Sequence, residues 1–247
     1  MKVLILAAGY GTRLYPYTKN FPKCLLTIGE KPIVQYLAEK LDGVECSKII
    51  VVTNARFYKY FARWKKDYGN SKITIVNDGT RTPEDRLGAI GDMDLVFGRE
   101  GSSEDFLVMG GDNFFDEPLD GFIGEAARRK KSVTIGVFRL KRREEARSFG
   151  VVELDAAKKV AGFEEKPARP RSNLIGMCLY YFPKASVPLL RKYLGDASNT
   201  KDTIGSYIRW LSRASGMFGF VFKKNWFDIG SVQSYQQAQQ TAKGAHK

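Results

Sequence analysis

The chain has 247 residues, 43% apolar and 27% charged, which suits one large α/β domain with a sizeable core. Its 40 basic and 27 acidic residues leave a formal charge of +13, a balance that fits nucleic acid or a basic surface around a site for small polyanions. The basic clusters are scattered along the chain rather than gathered in one tail, which favours the second reading, with no specific nucleic acid expected.

The longest N-terminal apolar run, Val3 to Ala8, is far too short for a leader or a membrane span. Cys24, Cys46 and Cys178 are odd in number and lack metal-ligand spacing, so they read as buried thiols in a reducing cytoplasm. His246 is the only histidine and lies in the C-terminal tail. A Ser–His or Cys–His dyad is therefore excluded within the fold, and any metal would be a hard ion held by carboxylates, Mg²⁺ or Mn²⁺.

In chain order, the apolar run ends in Gly9-Tyr10-Gly11-Thr12-Arg13. Ile33, Tyr36, Leu37 and Leu41 then recur at helical spacing after Pro32. Lys48 to Thr53 reads as a strand buried on both faces. Arg56 to Tyr68 reads as a helix with its aromatics packed, and Ile73 to Val76 as a strand. A turn-rich segment from Asn77 to Pro83 leads to a predicted helix from Glu84 to about Phe97. Phe106 to Met109 is a strand ending in Gly110-Gly111-Asp112-Asn113, and a helix through Leu119, Phe122, Ile123 and Ala126 precedes a strand at Val133 to Phe138. This alternation predicts a mostly parallel sheet with helices on both faces. Val151 to Leu154 and Val160 to Glu164 form a predicted hairpin, and Ile175 to Phe182 a strand. Helices are expected at Val187 to Tyr193 and Asp202 to Leu211, a strand at Met217 to Phe222, and a solvated Gln-rich helix after Trp226-Phe227-Asp228-Ile229-Gly230. No repeat or linker divides the chain, so residues 1–247 are expected to form one domain.

The opening turn carries the chemistry. Glycines let backbone N–H groups close on an oxyanion, and Arg13 and Lys23 supply a planar fork and a point charge for phosphate. A dinucleotide fingerprint fails because Leu14 stands at its third glycine, and no P-loop pattern occurs. What remains, Leu6-Ala7-Ala8-Gly9-Tyr10-Gly11-Thr12-Arg13-Leu14-Tyr15-Pro16-Tyr17-Thr18 with Pro22-Lys23, resembles the signature of the sugar-1-phosphate nucleotidyltransferases. Gly111-Asp112-Asn113, Phe149-Gly150-Val151-Val152, Glu164-Glu165-Lys166-Pro167 and Trp226-Phe227-Asp228-Ile229-Gly230 resemble that family's later motifs, in its order.

The resemblance implies a Rossmann-like mixed, mostly parallel sheet flanked by helices. It also implies a transfer of a nucleotidyl group from an NTP to a sugar 1-phosphate, with Mg²⁺ between Asp112 and Asp228. Leu6, Ala7, Ala8, Gly9, Gly11, Thr12, Arg13, Lys23 and Gly88 would then bind the nucleotide. Arg13, Lys23 and Lys166 would act in catalysis, and Asn113, Gly150, Glu165, Lys166 and Gly176 would receive the sugar phosphate. Asn113 is similar to the thymidylyl branch and to some cytidylyltransferases. The expected pair is dTTP with glucose 1-phosphate, the alternatives being UTP or CTP with another sugar or alcohol phosphate, or a basic nucleotide- or RNA-binding protein without catalysis. The Gln that thymidylyl relatives place at the base is absent from the stretch between Asn77 and Gly91. The resemblance leaves a homo-oligomer open, and neither regulatory helices nor a β-helix acyltransferase domain is expected.

Overall fold

The computed structural model describes residues 1–200 and 203–244. The first half runs β1 (Lys2–Leu6), a small hairpin of β2 (Thr27–Ile28) and β3 (Lys31–Pro32), α1 (Ile33–Glu39), β4 (Lys48–Thr53), α2 (Tyr58–Tyr68), β5 (Ile73–Asn77), α3 (Gly88–Glu100) and β6 (Phe106–Gly110). Next come β7 (Asn113–Phe115), α4 (Asp120–Arg128), β8 (Val133–Arg139), the hairpin of β9 (Gly150–Leu154) and β10 (Val160–Glu165), and the long β11 (Leu174–Phe182). Then follow α5 (Leu189–Leu194), α6 (Ile204–Ala214), β12 (Met217–Phe222), β13 (Trp226–Asp228) and α7 (Val232–Gly244).

The main sheet has the order β10-β9-β11-β6-β1-β4-β5, with β8 beside β11 and β12 beyond it. It is mixed. The pairs β6–β1, β1–β4, β4–β5 and β8–β12 are parallel, whereas β11 pairs antiparallel with its neighbours. Both faces are buried, as the continuous apolar strands imply. Val3 and Ile5 pack under Leu37, Phe61 and Phe122 on one face, and Leu4 packs under Ile90, Leu190 and Ile208 on the other. Each face thus takes alternate residues of β1.

The chain runs outward from β1 to β4 and β5, then crosses to β6 on the other side of β1. In an open α/β sheet such a reversal leaves a crevice at the carboxyl ends of the two strands. Here those ends are Leu6 and Gly110, which pair directly. The opening turn follows the first and Asp112 the second.

Three expectations change in detail. The helix predicted from Glu84 begins only at Gly88, because Asp85 turns back to accept from the N–H groups of Arg81 and Thr82. The aromatics of the 56–68 stretch divide: Phe57, Phe61 and Trp64 are buried, Tyr58 and Tyr60 exposed. The Gln-rich helix is not wholly solvated. Gln239 donates to the Thr27 carbonyl and accepts from Gly29 N–H, and Ala238 packs with Ile28, Phe114 and Ile229. Asp202 and His246 lie outside the described residues.

Candidate active site

The opening turn is held from beneath. Buried Asn54 donates to the Ala8 carbonyl at 2.8 Å and accepts from Phe57 N–H, while the buried Thr18 hydroxyl donates to the Gly11 carbonyl at 2.7 Å. Gly11 has φ +62°, and a Cβ there would lie 3.2 Å from Thr18 and 3.3 Å from Lys23. The left-handed backbone and the tight packing both call for glycine. Arg13 follows on a short 3₁₀ turn, Thr12–Leu14.

Asp112 and Asp228 come together through a second, two-stranded sheet. β7 and β13 pair antiparallel with Asn113 opposite Asp228, and Ile229 N–H donates to the Asp112 carbonyl. The indole of Trp226 donates to Asn113 Oδ1 at 2.6 Å, and Asn113 Nδ2 donates to the Gly110 carbonyl. Lys23 Nζ contacts Asp112 Oδ2 at 2.5 Å. Burial alone would push the Asp112 carboxyl up, but Lys23 and then Arg13 hold it below its ordinary value. Burial first, and the neighbouring Asp112 second, push the Asp228 carboxyl up to about 6; Lys23, Arg13 and Lys166 pull it down as they do Asp112 but do not prevail.

Two cavities meet at Asp112 and Cys178. The first is walled by Arg13, Asp228, Gly150, Gly176, Glu165 and Lys166, with Asn113 and Trp226 on its floor. Two of its residues, Lys166 (φ 45°) and Cys178 (φ 52°), adopt left-handed backbone that side chains rarely take. Such outliers cluster at functional sites. Cys178 owes its place to an irregularity in β11, where register against β8 shifts between Gly176 and Tyr180. The second cavity is lined by Leu6, Ala8, Gly9 and Gly88, with Asp78, Arg86 and Asp92 opposite. Arg86 Nη1 donates to the Pro83 carbonyl.

The profile of the family described as nucleotidyl transferase matches residues 2–244. The chain belongs to that family. It is 29% identical to the bifunctional protein GlmU of Methanocaldococcus jannaschii over 93% of this chain and 51% of that protein. It is also 29% identical to the glucose-1-phosphate thymidylyltransferase of Neisseria meningitidis over 85% of this chain and 77% of that one. The chain spans about half the length of the GlmU proteins that it matches. Among solved structures, a candidate glucose-1-phosphate thymidylyltransferase from Bacillus anthracis in complex with a sucrose superposes with a TM-score of 0.85 at 24% identity. That match covers 98% of this chain and 95% of the other. A UDP-glucose pyrophosphorylase complexed with UDP-glucose gives 0.83 at 22%. At these identities the superpositions show the shared fold alone.

In this member of the family the residues expected for sugar phosphate and metal, Asp112, Asn113, Gly150, Glu165, Lys166, Gly176 and Asp228, all line the first cavity together with Arg13. Of those expected for nucleotide, Leu6, Ala8, Gly9 and Gly88 line the second. Ala7, Gly11, Thr12 and Lys23 line neither. Ala7 is buried, and Lys23 reaches the site through Asp112. Asn113 is mostly committed to holding the floor, which leaves one amide N–H for a ligand.

Sequence reasoning missed Ile204 and Gly205, which close the first cavity at the start of α6. A Cβ on Gly205 would fall on the Glu165 carboxyl. It also missed the pair Asp78 and Asp92. Asp92 sits one helical turn after Gly88, buried, with its carboxyl hydrogen-bonded to that of Asp78. Burial, then the charge of Asp78, push Asp92 up to about 8. An acid whose folded pKa is raised loses stability as pH climbs above its unfolded value, until it ionises in the fold. Asp92→Asn removes that ionisation. Measured by calorimetry, its melting temperature relative to the native protein is therefore expected to rise from pH 4 to about 8, with little difference below pH 4.

Proposed function

We propose that this transferase moves a nucleotidyl group from an NTP to a sugar 1-phosphate, releasing pyrophosphate, and that Asp112 and Asp228 hold Mg²⁺ for it in a reducing cytoplasm. The observation that carries this reading is the meeting of two carboxylates, two cations and a glycine turn where two cavities join. Two carboxylates suit Mg²⁺, which takes one or two protein carboxylates and completes its shell with substrate phosphates and water. Among the described residues no group of three His, Cys, Asp or Glu side chains converges. That excludes a closed all-protein metal cage, not an open site of this kind. Burial, and then the neighbouring Asp112, raise the Asp228 carboxyl, so positive charge between the two would favour both as carboxylates. When bound, Mg²⁺ supplies that charge and draws electrons from the phosphates it touches.

The chain's own residues do the rest. The N–H groups of the opening turn face the triphosphate, with Arg13 and Lys23 placed to neutralise charge that grows on departing pyrophosphate. Lys166 and Glu165 orient the sugar phosphate in the first cavity. An oxygen of its phosphate attacks the α-phosphorus, and the bond from that phosphorus to the pyrophosphate oxygen breaks. A phosphate monoester is largely deprotonated at neutral pH, with its second pKa near ~6. No general base is needed, and positioning supplies much of the rate.

Pyrophosphate release from a panel of NTPs against several sugar 1-phosphates, beginning with glucose 1-phosphate, tests the reading. No turnover with any pair in Mg²⁺ would overturn it. Gly205→Ala separates the cavities. By displacing Glu165 it should raise KM for the sugar phosphate about tenfold or more and leave KM for the NTP nearly unchanged, read from initial rates.

A further inference from the structure

Part of the chain's excess positive charge gathers at the mouth of the first cavity. Residues 139–149 and 166–174 are stitched together at two places. At one end Lys166 N–H donates to the Phe149 carbonyl. At the other, Leu140 N–H donates to the Asn173 carbonyl, and Asn173 Nδ2 donates to that of Leu140. Buried Ala146 and Pro167 pin the two stretches between these stitches. There Lys141, Arg142, Arg143, Arg147, Arg169 and Arg171 are all exposed, against two acids, Glu144 and Glu145. Six basic less two acidic side chains leave +4 here, of +13 in the whole chain. Of the six, Arg142 alone is ion-paired among the described residues, to Glu145 at 2.7 Å.

This basic collar adjoins the cavity opening. Among the lining residues Arg13, Ser148 and Lys166 are the exposed ones, and two of those three belong to the stitched segments. Arg147 is next to Ser148, and Arg169 is three residues from Lys166, at most about 11 Å of chain. Exposed charges act over about 8–10 Å near physiological salt, and farther at low salt. Inside, Glu165 forms part of the wall, with its carboxyl against Gly205. A further anionic group on the acceptor is thus repelled by that wall and attracted at the mouth. No collar residue lines the second cavity.

We propose that the collar selects the acceptor by charge, favouring a sugar phosphate that bears a second anionic group, a carboxylate or a phosphate. This rests on the proposed transfer reaction in taking the first cavity as the acceptor's. Arginine suits both groups, since its planar fork meets two oxygens at once. A cleft edged by one sign of charge also raises the local concentration of its counter-ion.

Glucuronic acid 1-phosphate and its 6-carboxamide have nearly one shape and differ by one charge, so together they isolate the effect. Calorimetry on the full chain at about 20 mM salt is expected to show the acid binding at least about fivefold tighter than the amide, and less than about twofold tighter at about 0.5 M. Arg143→Gln, Arg147→Gln, Arg169→Gln and Arg171→Gln combined should bring the two within about twofold at either salt. Gly205→Ala should weaken both ligands alike, because it disturbs the cavity and not the collar. Equal binding of acid and amide at low salt, binding of neither, a preference that high salt or the fourfold variant leaves intact, or ligands indifferent to Gly205→Ala would each overturn the inference, and none of these touches the transfer reaction. A salt-sensitive preference that the variant loses upholds the inference even where no pair turns over, and then only the reaction falls. The native salt comparison decides the matter if the variant does not fold.

Discussion

Asp228→Asn is expected to lower Mg²⁺-supported turnover by at least about two orders of magnitude while the protein melts at no lower a temperature than the native chain. The two effects share one cause. Burial, and then Asp112, push the Asp228 carboxyl up to about 6, so above that pH the metal-free fold carries a carboxylate it disfavours. The unfolded value is lower. Stability from this group is therefore lost as pH rises toward 6 and stays lost at pH 7.5. An amide of the same shape removes the repulsion along with one of the two oxygen donors of full charge. Turnover within tenfold of native, or a clear drop in melting temperature, would remove Asp228 from the metal site.

Lys23→Ala gives the second large effect, and its signature differs. Lys23 is 12% exposed and its ammonium sits on Asp112. Deleting it leaves a mostly buried carboxylate with Arg13 as its remaining nearby cation, a change that typically costs about 3–5 kcal/mol. Turnover should fall roughly 100- to 1,000-fold, because the charge that meets the leaving pyrophosphate goes with it. The same deletion frees Asp112 for a metal ion. Mg²⁺ should then raise the melting temperature of Lys23→Ala by more than it raises that of the native protein, read by thermal shift with and without the ion. An equal or smaller rise would mean that Lys23 does not compete with the metal for Asp112.

The sheet and the two aspartates were legible because long apolar strands and fixed motifs announce themselves. Lys48 to Thr53 and Met217 to Phe222 match their strands end to end, since β-branched and aromatic runs bounded by polar residues leave little choice. The sheet that joins the aspartates was not legible. Asn113–Phe115 and Trp226–Asp228 are three residues each, too short to show a period, and they pair across more than a hundred positions of chain. Asp92 was hidden for another reason. Within a helix its charge reads as surface, and only the fold places it on the buried face of α3 beside Asp78. The late start of α3 has the same origin, because Asp85 bonds to backbone in the turn instead of joining the helix. Glu165 was visible as a motif, but its partner wall at Gly205 depends on where α6 docks.

The pairing of β7 with β13 also sets an order in time. One carboxylate arrives with residue 112 and the other with residue 228, and the Trp226–Asn113 bond that seats them arrives with the second. During synthesis the glycine turn, Arg13 and Lys23 leave the ribosome long before the residues that complete the proposed metal site. On the proposed mechanism, a chain short of residue 228 lacks one of the two carboxylates.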